Sequence, residues 1–262
     1  MIKFSANLGL LWPGLPLLER LQRAGAAGFK AVEMHWPYEC PPGSVREICS
    51  EFGMSIGSIN TAPGDRSKGE FGLGALPGRE DDFQASVDQA IAYCLASGAS
   101  AIHCMAGNVG AQQRDEARGT LIRNMQIASK KAEAAGIRCL LEPINSFDQP
   151  DYLYSTVEEV AFIIEAIDST NVQILFDAYH VARSQGDVTM RLRQFINRIG
   201  HVQIASVPSR AEPTDGEIDY RFFLSELNFL NYSGLVGLEY NPSGNTECGL
   251  ESVKLLAACM SY

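Results

Sequence analysis

Eight short apolar runs rich in Val and Ile recur along this chain, alternating with longer segments that carry the period of an amphipathic helix. Repeated strand–helix units bury both faces of their strands only in a parallel sheet, either closed into a barrel or open and doubly wound. The predicted strands cover 2–7, 30–34, 54–59, 100–105, 137–142, 172–177, 200–205 and 235–239. The clearest helical stretches are 15–26, 80–97, 111–135, 155–168 and 219–230. A glycine precedes several strands, in GFKAVE, GMSIGS, GASAIH and GIRCLL, where it ends one helix and turns the chain into the next strand.

The 262 residues show no composition break or linker, which favours one α/β domain, a single (β/α)8 TIM barrel spanning 1–262. No GxGxxG follows the first strand, so the open dinucleotide-binding alternative lacks its marker. The longest stretch without predicted structure, 60–79, falls after the third strand and is expected as a partial lid on the catalytic face. A net charge of -10 disfavours binding to nucleic acid or anionic lipid. Seven cysteines, at 40, 49, 94, 104, 139, 248 and 259, form no C-x-x-C pair, which fits reduced, cytoplasmic thiols rather than a disulfide frame. The start MIKFSANLGLLW does not read as a targeting leader and no window holds eighteen uncharged apolar residues, so neither a targeting segment nor a membrane partner is expected.

Barrel chemistry sits at the C-terminal ends of strands. The fifth strand ends in Glu142, the sixth in Asp177, the seventh carries Gln203 and the eighth ends in Glu239. Side chains alternate along a strand, so each of these shares a face with Leu140, Leu175, His201 or Gly237 respectively. Taken alone, each carboxylate could cap the helix that follows or face water. Four polar ends on successive strands instead imply one centre, where carboxylates stay ionised only if a cation holds them. Hard oxygen donors suit Mg2+ first and Mn2+ second.

Quoted as they stand, FSANLGLLW, GFKAVEMHWPY, NTAPGD, ALPGREDDF, LLEPIN, FDAYH, IGHVQIA, GEIDY and GLEYNP resemble the hydroxypyruvate isomerase family of xylose-isomerase-like barrels. The resemblance spans residues 2 to about 250. It implies divalent metal ligands at Glu142, Asp177, Gln203 and Glu239, with Glu142 and Glu239 doubling as acid and base. It further implies an aldose–ketose type isomerase that interconverts hydroxypyruvate and tartronate semialdehyde through a cis-enediolate. A four-carbon 2-oxo-tetronate isomerase, a ketose 3-epimerase and a non-catalytic sugar-acid binding protein stand as alternatives. An apurinic-site endonuclease shares the barrel, but four histidines and the acidic balance argue against it.

The expected substrate is a small anionic hydroxy-carbonyl compound. His180, beyond the sixth strand, is a candidate to hydrogen-bond a substrate oxygen, and Arg210 to pair with a carboxylate through its planar fork. Asn7 and His35 fall at the same mouth, whereas His103 and His201, within strands, read as core or floor histidines. ASVPSRAEP differs from the ADNPHRGEP-like pattern of the family at Ser206, Val207 and Ala211, which bears on substrate range. A homo-oligomer is left open.

Overall fold

The computed structural model describes residues 2–258, with side chains through Val253; Cys259 lies outside them. Eight parallel strands close into a barrel in chain order: β1 (Lys3–Asn7), β2 (Ala31–Met34), β3 (Ser55–Asn60), β4 (Ala101–His103), β5 (Arg138–Leu141), β6 (Val172–Asp177), β7 (Ile199–Ile204) and β8 (Leu235–Leu238). The last pairs with the first, from Lys3 opposite Leu235 to Ala6 opposite Leu238.

Among the described residues the outer layer holds nine helices: α1 (Leu17–Ala26), α2 (Pro42–Phe52), α3 (Glu80–Ser97), α4 (Arg114–Ala134), α5 (Val157–Ile167), α6 (Ala178–Ser184), α7 (Val188–Phe195), α8 (Tyr220–Phe229) and α9 (Thr246–Ala258). Five of these had been predicted. α6 and α7 are too short to show a period, and α6 starts directly after Asp177, so His180 stands on the first turn of a helix. None of the helices is long and apolar enough to cross a membrane. Gly28, Gly53, Gly98 and Gly136, the four that precede strands, all adopt positive φ, as the helix-ending reading requires. α5 carries a full capping box, Thr156 and Glu159 each accepting from the other's backbone N–H.

Two apolar regions result. The larger lies between the strands and the helices, with Val32, Ile102, Cys139, Leu141, Ile174 and Phe176 pointing outward into it. The smaller, Ala101, Leu140 and Leu175, sits apart from it on the alternate positions that face into the barrel. Above Leu140 and Leu175, one step of the alternation along, stand Glu142 and Asp177. Beside this layer the interior turns polar, with Ser5, Glu33 and His201 in one buried hydrogen-bonded group.

Cys40, Cys49, Cys94, Cys104, Cys139 and Cys248 are all free thiols. The 60–79 segment is anchored rather than loose. Gly74 N–H and Ala75 N–H donate to the Met105 and Ala106 carbonyls, and Asn124 holds the Gly74 carbonyl. A Cβ built on Gly237 would run into the Glu33 carboxylate. Gly237→Ala should therefore destabilise the fold by about 1–3 kcal/mol through overpacking, read as a lower urea midpoint; an unchanged midpoint would mean that Glu33 can give way.

Candidate active site

β5 and β8 stop one residue short of their predicted ends, so Glu142 and Glu239 are the first residues beyond the strands, both nearly inaccessible. They line a cavity of about 350 Å³ together with His35, Arg66, His103, Asp148, His180 and Arg210. Asp177 and Gln203, neighbours in the β6–β7 register, are buried close by.

Asp177 and Glu239 each have one oxygen hydrogen-bonded and one without a hydrogen-bond partner, and Gln203 has its nitrogen engaged and its oxygen without one. Asp177 Oδ1 caps α6 by accepting from Tyr179 N–H at 2.9 Å, while its Oδ2 is buried without a partner. Glu239 Oε1 meets His35 Nε2 at 3.0 Å, and its Oε2 has no partner. Gln203 Nε2 donates to Glu33 Oε1 at 2.9 Å, and its Oε1 has none. Buried polar atoms are satisfied in most native structures. Three buried oxygens without hydrogen-bond partners at one barrel end, with Glu142 beside Asp177, are donors of the kind a hard divalent cation takes. The residues present fit such an ion.

Electrostatics point the same way. Burial, with the charges of Glu239 and Asp177, pushes the Glu142 carboxyl well above the usual range. Burial, then the charge of Glu239, pushes Asp177 up to about 7 against the pull of Arg210. Arg210 reaches across the group, its Nη2 3.5 Å from Glu239 Oε1 and 3.9 Å from Asp177 Oδ2, its Nη1 3.5 Å from Asp148 Oδ2. The guanidinium lies over the Tyr179 ring at 5.1 Å. Arg210 has a φ of 53°, uncommon outside glycine, and backbone bonds to Ser206 and Asn241 hold it there.

Glu142, Asp177 and His180 bring potential metal-binding atoms within 4.8 Å of one another. The histidine's tautomer argues against a ligand role. Asn145 N–H donates to His180 Nδ1 at 3.3 Å, and burial first, with Arg210, holds the ring neutral. The ring proton therefore sits on Nε2, 3.6 Å from Asp177 Oδ2 and 3.7 Å from Glu142 Oε1. That atom is a donor, not a ligand.

Two residues were misplaced by sequence reasoning. Asn7 does not line the cavity; its amide donates to Glu33 and its oxygen accepts from Gly9 N–H, so it stands behind the site. His103 is not a floor histidine but part of the cavity wall, its Nδ1 3.4 Å from Glu142 Oε2. β4 ends at His103 instead of running to 105, because residues 105 and 106 leave to bond the 60–79 segment. His201 does lie below, against Glu33. Glu33 itself had drawn no attention, being one acid inside an apolar run.

The chain matches the xylose isomerase-like TIM barrel family over residues 21–258, and it belongs to that family. Within it the chain is an isomerase of the hydroxypyruvate isomerase group. It is 34% identical to the hydroxypyruvate isomerase of Escherichia coli K12, across 95% of this chain and 97% of that one. It is 38% identical to the 2-oxo-tetronate isomerase of Cupriavidus necator, across 97% and 98%. A Brucella melitensis crystal structure described as an AP endonuclease, family 2, superposes with a TM-score of 0.93 at 36% identity, across 95% and 97%.

An acid whose folded pKa is raised keeps its proton when the unfolded chain has lost it. Between the ordinary value of 3.8 and about 7, Asp177 therefore makes the metal-free protein less stable as pH rises. A divalent ion reverses that penalty but competes with the proton at low pH. Stabilisation by metal, about 2.7 kcal/mol at 100 times Kd, should be larger at pH 8 than at pH 5 for the same Mn2+ concentration. A thermal shift equal or greater at pH 5 would contradict the shared site.

Proposed function

We propose that this isomerase acts on a short sugar acid, with hydroxypyruvate and tartronate semialdehyde as the leading pair. The observation that carries the reading is the trio of buried oxygens without hydrogen-bond partners on Asp177, Gln203 and Glu239, the last of which lines a cavity with Glu142 and Arg210. Glu142, Asp177, Gln203 and Glu239 would hold a divalent ion, Mg2+ or Mn2+, which when bound supplies electrophilic polarisation of the substrate carbonyl.

The chain's own groups do the rest. Arg210, at the cavity wall, pairs with the substrate carboxylate. One glutamate removes a proton from C3 of hydroxypyruvate, leaving an enediolate, and the other delivers a proton to C2. The hydroxyl proton passes from O3 to O2, and His180 Nε2–H is placed to hydrogen-bond one of these oxygens. Burial of both glutamates keeps water away from the reacting carbons.

A four-carbon 2-oxo acid is the second reading. It is favoured by Arg66, a further cavity cation lying over Trp36 and Phe71 at 5.2 and 5.1 Å, and by the likeness to the 2-oxo-tetronate isomerase. Solvent-exchange NMR in D2O with hydroxypyruvate, 2-oxo-tetronate and a free ketose separates these: the preferred substrate gains deuterium fastest. No exchange into any of them would reject the enediolate route. A plasmid carrying apurinic sites, left intact, excludes the activity for which the Brucella protein is described.

Arg210→Ala should raise KM for hydroxypyruvate about 10- to 200-fold, since a charged hydrogen bond contributes roughly 1.5–3 kcal/mol; an unchanged KM moves the carboxylate contact elsewhere. Glu142→Gln and Glu239→Gln should each lose about 10²–10⁴-fold in kcat at saturating metal, while Asp177→Asn recovers as metal is raised. Recovery of both glutamine variants by metal would leave them as ligands only.

A further inference from the structure

Glu33 is a buried acid that the proposed mechanism does not use. It projects into the barrel from β2 with 1% exposure, and four donors converge on it. Asn7 Nδ2 and Gln203 Nε2 reach Oε1 at 3.0 and 2.9 Å, while Ser5 Oγ and His201 Nε2 reach Oε2 at 3.2 and 2.5 Å. The glycine at 237 leaves the space it occupies.

A carboxylate only accepts, so the end of Gln203 facing it must be the NH2. The carbonyl oxygen is thereby turned away from Glu33, where it is buried without a hydrogen-bond partner, as are one oxygen of Asp177, its neighbour across the strands, and one of Glu239. The two ends of a glutamine amide are nearly isosteric, and nothing in its shape selects one orientation. The neighbouring carboxylates favour the wrong one, since Glu142, Asp177 and Glu239 all attract N–H groups. Glu33 opposes them.

We propose that Glu33 is a positioning residue that fixes the Gln203 amide with its carbonyl oxygen toward the cation. Without it the amide turns over, presents N–H groups to the ion and removes one ligand. The inference rests on the proposed metal site.

The test is Mn2+ affinity of the full chain, read by electron paramagnetic resonance of free Mn2+ and independent of turnover. Glu33→Met, similar in size but without an acceptor, should weaken Mn2+ binding about 10- to 100-fold, as loss of groups that orient ligands does. Glu33→Gln keeps an oxygen toward Gln203 while its nitrogen faces Ser5 and His201, both able to accept, and should restore most of the affinity. In a Gln203→Ala background, Glu33→Met should cause no further loss, whereas general loosening of the barrel floor would still weaken binding. Should Glu33→Met yield no folded protein, Glu33→Asp, whose carboxylate is withdrawn by one methylene, reads the same quantity and should also weaken binding. Unweakened affinity in the variants beside a wild type that binds Mn2+ overturns the role of Glu33 alone. A wild type that binds no divalent ion overturns the metal site and this inference together.

Discussion

The burial of Glu142, Asp177 and Glu239 at one end of the barrel, with the repulsion it leaves between neighbouring carboxylates, is the constraint that organises this part of the structure. Buried carboxylates cost several kcal/mol each unless they are protonated, paired or bound to a cation. The upward push on Glu142 and Asp177 shows how far the protein's own donors fall short. His35 and Arg210 serve Glu239, the start of α6 serves one oxygen of Asp177, and three oxygens remain without partners. The protein leaves these donors unsatisfied, and they are of the kind that a divalent cation would satisfy.

Positioning of that shell runs downward through the barrel. Gln203 carries no charge, so its orientation matters more than its position, and it is tied to Glu33. Glu33 in turn ties β2 to β1 and β7, and the space it needs is opened on β8 by Gly237. His180 is fixed in the same manner from the other side, where Asn145 determines which ring nitrogen carries the proton. Both devices settle the direction of a hydrogen bond using a group whose own role as donor or acceptor is fixed.

How much of this was legible follows from which features are local. Alternation of apolar runs and helical stretches gave the eight strands in order, because each strand's outer face must meet a helix whatever its neighbours are. Glu142, Asp177, Gln203 and Glu239 could be singled out as candidate ligands because they sit at strand ends, where alternation fixes their facing. Asn7 met the same criterion yet lies behind the site, since an acceptor on the adjacent strand captures its amide. His103 was misjudged because the length of β4 is set by bonds to residues 72–75, which no local pattern reveals. Glu33 gave no signal at all; its partners lie up to 170 positions away and meet only when the barrel closes.

Charge balance explains why an arginine belongs inside so acidic a pocket. On the proposed reading, one glutamate enters protonated as the donor to C2, so the two remaining ligand carboxylates and one divalent ion sum to zero, which does nothing to draw in an anionic sugar acid. Arg210 brings the sum to a single positive charge before the substrate enters, and burial keeps its charge unscreened. The incoming carboxylate then replaces Glu239, Asp177 and Asp148 as the arginine's partner. As the second negative charge develops on the substrate oxygens, the abstracted proton neutralises a glutamate, so total charge in the cavity does not change through the reaction. A lysine could supply the same charge but not the flat fork that meets Asp148 on one side, Glu239 on the other, and lies over Tyr179.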